Sequence, residues 1–264
     1  ESVLRKLVGT ELAADAERFG DARRSKIVER EAAQAIDETS LIANEPVTVV
    51  LSSGGWVRAA KGHEIDPRSL QYKTGDAFQA AARGQSLQLA TFFDSTGRSY
   101  SLPAHTLPSA RGLGDPLAGR LNPPDGAKFT GMMMGEPASR WLLASDAAYG
   151  FVARLEDLIT DRKAGKTVLN VPEGALALPP VPVTDPKGLL CIAVVDGDGE
   201  NGRLLVFPVA EVPEMPRGKG NKLFNIPAAL AKERSEVVAG IAVVPPGGKL
   251  LVWNGERSRE YSTA

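Results

Sequence analysis

Apolar residues recur at three- and four-residue spacing from the start of the chain, at Leu4, Leu7, Val8 and Leu12, a period that predicts a helix. The pattern reaches about Phe19 and stops at Gly20. A basic cluster follows (Arg23, Arg24, Lys26), then an Ala-rich stretch from Glu29 to Asp37 that leads to Glu45-Pro46, where proline ends it. Opening at Glu1 directly on helical spacing, the sequence reads as a piece cut within a helix. Residues 1–46 form a helical segment and linker; residues 47–264 form a second domain.

Beyond Pro46 the apolar positions gather into short β-branched runs, such as Val47 to Leu51, Cys191 to Val195 and Val237 to Val244. The chain holds 27 Gly and 19 Pro, and few stretches here are long and periodic enough for helices. The expected fold is all-β, with many short strands and turns.

A loose repeat emerges when turn glycines are aligned. Gly55, Gly97, Gly150, Gly202 and Gly248 each follow an apolar run and precede an extended segment, at intervals of 42, 53, 52 and 46 residues. Each unit reads as a hairpin whose turn needs a residue tolerant of positive φ. Hairpin units of this length suggest blades. The first four also carry glycine beside basic residues: Lys61-Gly62-His63, Arg111-Gly112-Leu113-Gly114, Arg162 to Lys166, and Arg217 to Lys222. These begin 6, 14, 12 and 15 residues after the unit's glycine, so three of the four hold nearly one place in the repeat. Side-by-side units would line them along one rim.

Glycine lets backbone N–H groups approach an anion while Arg or Lys supplies charge, which suits phosphate. Formal net charge is −1, which on its face argues against nucleic acid. Division by region changes that: residues 1–46 hold 7 basic and 10 acidic residues, net −3, and residues 47–264 hold 24 and 22, net +2. Aromatic content of 6% is low for stacking single-stranded bases, and Trp56 and Phe224, the rings nearest the clusters in sequence, read as core. Duplex backbone contact is the better fit. A protein-interaction propeller with solvated basic turns is the rival.

Other chemistry finds little support. Asp196 to Gly202 is rich in oxygen ligands but lacks a calcium loop's twelfth-position acid, and reads as a hairpin turn. His63 and His105 have no cysteine nearby, so no metal site is expected. Gly218-Lys219-Gly220 lacks the spacing of a P-loop. Cys191, the single cysteine, lies in an apolar run and permits no disulfide within the chain, which suits a reducing, cytoplasmic setting. Apolar runs fall far short of the ~18 residues of a membrane helix, so no membrane insertion is expected.

Several stretches resemble the carboxy-terminal portion of ParC, the family of bacterial topoisomerase IV chains that belongs to the type IIA topoisomerases. They are Glu45 to Leu51, Gly55 to His63, Leu107 to Gly112, Tyr149-Gly150-Phe151, Ala164-Gly165-Lys166 and Gly218 to Lys222. Phe19 to Ser25 resembles the end of that family's coiled coil. The resemblance implies a β-pinwheel, a propeller-like disc of about five four-stranded blades that exchange strands. It also implies binding and bending of duplex DNA without sequence specificity, serving decatenation and supercoil relaxation. Phosphate contacts are expected at Arg58, Lys61, Arg98, Arg111, Arg120, Arg162, Lys163, Lys166, Arg203, Arg217, Lys219 and Lys222. Implied partners are duplex DNA, ParE and a second ParC. ATP and Mg belong to the holoenzyme, so this stretch would need no cofactor. The Gln, double-Arg and glycine-run motif of the related gyrase A chain is missing, which argues against full DNA wrapping. No tyrosine here sits in the strand-cleavage motif, so the chain is expected to be non-catalytic.

Overall fold

A computed structural model describes residues 2–21, 25, 42–197, 201–254 and 257–262, in two compact units divided at Leu41 and Ile42. In the first unit α1 spans Ser2–Phe19 and buries none of its side chains. It stops where the spacing predicts, and a Cβ at Gly20 would lie 2.2 Å from the Ala16 carbonyl oxygen. The basic cluster at Arg23, Arg24 and Lys26 and the stretch Glu29 to Asp37 lie outside the described residues.

The second unit opens with β1 (Pro46–Ser52), β2 (Trp56–Lys61), β3 (Phe78–Gln85), β4 (Leu89–Asp94), β5 (Arg98–Pro103), β6 (Asp115–Pro116) and β7 (Phe129–Met133). Then come β8 (Arg140–Ala144), β9 (Tyr149–Arg154), a one-turn helix α2 (Leu155–Leu158), β10 (Lys166–Thr167), β11 (Val181–Val183), β12 (Leu189–Asp196) and β13 (Gly202–Pro208). The last elements are β14 (Asn221–Lys222), α3 (Ala228–Glu233), β15 (Glu236–Val244), β16 (Lys249–Asn254) and β17 (Arg257–Ser262).

All pairing within the sheets is antiparallel. Three sheets have four strands, ordered β3-β1-β2-β6, β7-β4-β5-β10 and β11-β8-β9-β14; a fourth is β13-β12-β15, and β16 pairs with β17. Each four-stranded blade is therefore a hairpin flanked by two strands that follow it in the chain. The second flanking strand arrives only after the next blade's hairpin has been laid down. Five β units are present, as the repeat predicts, but among the described residues only three reach four strands.

Apolar burial explains the stacking. Side chains alternate across a strand, so the first strands of the hairpins, covered on both faces, are mostly apolar, with Thr48 and Thr91 buried among them. Phe92 packs with Val49, Leu51 and Tyr100 between the first two blades. Its neighbour Phe93 points the other way, into a cluster with Leu143 and Phe151. Leu142 in turn meets Leu190 and Ile192 of the fourth sheet. Cys191 is buried, and burial raises its thiol pKa.

Hairpin turns recur with side-chain caps. The backbone N–H of Trp56 donates to Ser52 Oγ at 3.0 Å, and that of Arg98 to Asp94 Oδ1 at 3.0 Å. Asp94 Oδ2 also accepts from the buried Tyr100 hydroxyl at 2.7 Å; burial and that carboxylate push the phenol pKa well above its ordinary value. Positive φ falls on Gly55 and Gly97 as expected, but in the third hairpin Ala148 takes it at 62°. Gly150 and Gly202 are instead strand residues, in β9 and β13. Gly248 lies between β15 and β16, which pair with different strands, so it is not a hairpin turn and the last hairpin instead joins β16 to β17.

The glycines of the basic clusters serve the strand exchange. Gly114, Gly165 and Gly220 each precede a two-residue returning strand and have φ of 89°, 72° and 75°. A Cβ there would lie 2.4 Å from Val57 O, 2.5 Å from Tyr100 Cε1 and 2.0 Å from Gly150 O respectively. Only a bare backbone fits against the earlier blade. Gly220→Ala is expected to destabilise the domain by about 2 kcal/mol or more, through a left-handed backbone and a clash with backbone. Gly112→Ala, with nothing within 4 Å of the new methyl group, should change stability by no more than about 0.5 kcal/mol. Urea denaturation of both variants checks the contrast.

Candidate nucleic-acid interface

Strand order sets inside and outside. β3 packs against β7, and β11 against β15, so the blades converge along these strands and β6, β10 and β14 lie on the outer edge. The clusters at 111–114, 162–166 and 217–222 lead directly into those outer strands, one per blade. Lys61-Gly62-His63 is different: it ends β2, with Gly62 N–H on Pro46 O and His63 Nε2 at 3.0 Å from Gly84 O.

The twelve expected phosphate contacts fall into three groups. Arg58 is a correction. It is 3% exposed, with Nη1 donating to Gly112 O at 2.9 Å and the guanidinium 4.7 Å from the Tyr72 ring centre. The returning chain covers it, so it braces the 109–114 loop and cannot meet a phosphate. Arg98, Arg120 and Lys166 are half-buried and also hold loops. Arg98 Nη1 donates to Ala164 O at 2.9 Å, Arg120 to Thr106 O and Oγ1 at 3.0 Å, and Lys166 Nζ to Asp157 O at 2.7 Å.

A second group is exposed but partnered. Lys61 pairs with Glu45 at 2.8 Å, Arg203 with Glu236, and Lys222 Nζ donates to Asn225 Oδ1 at 3.0 Å. Lys219 Nζ stands 3.8 Å from the Tyr149 ring centre. The third group is Arg111, Arg162, Lys163 and Arg217. All four are exposed, and no side-chain partner meets them among the described residues.

Sequence reasoning missed two features. Lys73 Nζ lies 3.3 Å from the centre of the Trp56 ring. Trp56 is half-buried and holds a cation on the surface, beyond the core role expected of it. Tyr149 is 70 residues from Lys219 in the chain, and the pairing of β14 with β9 brings them together. The other feature is an ion-pair hub: Glu214 accepts from Arg154 Nε at 2.8 Å and Arg140 Nε at 2.9 Å. Near Asp76, burial opposes ionisation, but hydrogen bonds from Ser52, Ser53 and the Gly54 and Ala77 N–H groups prevail and lower its pKa.

A stack of four-stranded sheets, each closed on its outer edge by a strand from the following repeat, is a β-pinwheel. A solved structure of the E. coli ParC C-terminal domain superposes with a TM-score of 0.74 at 45% identity, covering 83% of this chain and 86% of that one. The C-terminal domain of DNA gyrase A shares the fold, with a TM-score of 0.57 at 13% identity, covering 83% of this chain and 72% of that one. No family model matches the chain. It is 51% identical over 258 residues to the A subunit of DNA topoisomerase 4 from Pseudomonas aeruginosa and 46% identical over 257 residues to that of Escherichia coli K12. These alignments cover 98% and 97% of this chain, which spans 34% of the length of each relative. The chain belongs to the ParC family of topoisomerase IV and corresponds to its C-terminal domain.

Glu214 gives a pH test. Its hydrogen bond from Arg154 leads the effects that lower its pKa, burial opposes them, and Arg140 adds to them. A lowered carboxylate pKa stabilises the fold above the ordinary value of 4.5, and that gain is lost as pH falls through the lowered value. With the side chain 37% exposed, screening keeps the gain under about 1 kcal/mol. Urea midpoints should show Glu214→Gln slightly less stable than the parent at neutral pH, with the gap narrowing as pH falls below 4.5.

Proposed function

We propose that this chain is the duplex-DNA-binding and bending domain of a topoisomerase IV ParC protein. It presents DNA crossings to the holoenzyme for decatenation and supercoil relaxation. One observation carries the reading: the outer-edge loops of successive blades hold Arg111, Arg162 with Lys163, and Arg217 exposed and unneutralised among the described residues. Such side chains contact phosphates without reading bases, so sequence preference is weak. In the holoenzyme the partners are ParE, which supplies the ATP site, and a second ParC; ATP and Mg act there, in the cytoplasm beside the chromosome. No helix of the described residues is long and apolar enough to cross a membrane.

Engagement of about six phosphates gives a slope of log affinity against log salt near about −5. Fluorescence anisotropy with a linear duplex measures it. Charge reversal at Arg111, Arg162, Lys163 and Arg217 together should abolish binding and minicircle bending. Affinity that is independent of salt, or that survives the reversal, favours the rival protein-docking propeller. The exposed run Leu204, Leu205 and Val206 on β13, which is an edge strand among the described residues, speaks for that rival.

The domain itself is non-catalytic in this reading. Tyr100 is fully buried with its hydroxyl on Asp94, and the Tyr72 hydroxyl donates to Pro67 O at 2.6 Å. Incubation of the 264-residue chain with supercoiled plasmid and ATP should leave no catalytic change in linking number by gel electrophoresis. Strand passage without ParE would overturn the assignment.

A further inference from the structure

One register position on the second strand of the first three hairpins carries a cation by two different routes. Trp56 on β2 faces Pro116 of the returning strand, Arg98 on β5 faces Thr167, and Tyr149 on β9 faces Lys222. The hairpins confirm the equivalence, because the next residues, Val57, Ser99 and Gly150, face Leu51, Phe93 and Ala144, each the last apolar residue before its turn. In the fourth sheet Gly202 faces Val195, the last apolar residue before the turn, so the equivalent position is Asn201, and Arg203 stands two residues further along.

The position thus holds an arginine on blade two and an aromatic ring on blades one and three. Each ring has a lysine ammonium seated on it: Lys73 at 3.3 Å from the Trp56 centre, and Lys219 at 3.8 Å from the Tyr149 centre. The two lysines arrive from unrelated places in the chain. Lys73 lies in the first blade's own β2–β3 loop; Lys219 lies in the cluster that returns from beyond the fourth hairpin. Both are exposed, and both rings are half-buried.

We propose that Trp56 and Tyr149 are pedestals. By holding Lys73 and Lys219 at this register position, they add one exposed cation each on blades one and three to those facing the DNA phosphates. The inference rests on the DNA-binding reading and adds Lys73 to the contacts. A ring face attracts an ammonium through its quadrupole, and one edge of the ammonium stays open to a phosphate. A lysine already seated on a ring also loses less conformational freedom on binding than a free one. The rings act through the lysines as positioning residues.

The test is anisotropy with a linear duplex across about 50 to 200 mM salt, using the 264-residue chain. Each phosphate contact adds about 0.9 to the slope, so Lys73→Gln with Lys219→Gln should flatten it by about 1.8. Lys187→Gln, at the other end of the β12–β13 pair, should leave the slope unchanged. Trp56→Leu and Tyr149→Leu keep both lysines and should each weaken binding several-fold, whereas Trp56→Phe and Tyr149→Phe should restore it. Where a Leu variant fails to fold, the lysine pair still decides. Salt-dependent binding by the parent with an unchanged slope in the lysine pair overturns the pedestals and leaves the DNA-binding reading standing. No binding by the parent overturns both.

Discussion

Three blades of this domain have an outer edge whose backbone N–H and C=O groups are covered by backbone from the next repeat, and the fold depends on that exchange. Only two residues are donated each time, so the chain must come very close to the earlier strand before and after them. Gly114, Gly165 and Gly220 meet that need, because a methyl group at any of them would overlap atoms of the earlier blade. The exchange ties neighbouring blades together beyond their shared apolar faces. It also decides which loops lie on the rim.

Those same glycines sit among basic residues, so the structural device and the proposed binding surface share a stretch of chain. The arrangement divides the cations by task. Arg58, Arg98, Arg120 and Lys166 spend their donors on loop carbonyls and keep the rim in shape. Arg140 and Arg154 share Glu214, and Arg154 also meets Glu156. Arg111, Arg162, Lys163 and Arg217 have no side-chain partner among the described residues and stand in the outer-edge loops. A chain that is nearly neutral overall can therefore still gather positive potential where such side chains cluster.

The repeat, the all-β character and the recurrence of basic glycine clusters were legible from spacing alone. The alignment on turn glycines put three of its five glycines outside hairpin turns, for a physical reason. Positive φ can be carried by Ala148 where the turn is well packed, and a glycine such as Gly150 can answer a neighbour's approach and not a turn. The side-chain caps at Ser52 and Asp94 coincide with the two turns that carry Gly55 and Gly97. Arg58 was misjudged because its neighbours in sequence say nothing of the chain that returns 54 residues later to cover it.

By itself the sequence determined the helix to Phe19, the succession of hairpin units and the stretches where positive charge gathers with glycine. These are local properties, written in periodicity and composition within a few residues. Only the tertiary structure decided which cations face outward, which brace loops, and which rest on rings. That choice depends on strand exchange between segments some 60 to 70 residues apart, such as β2 with β6 and β9 with β14. No pattern within one repeat encodes what the next repeat will lay against it.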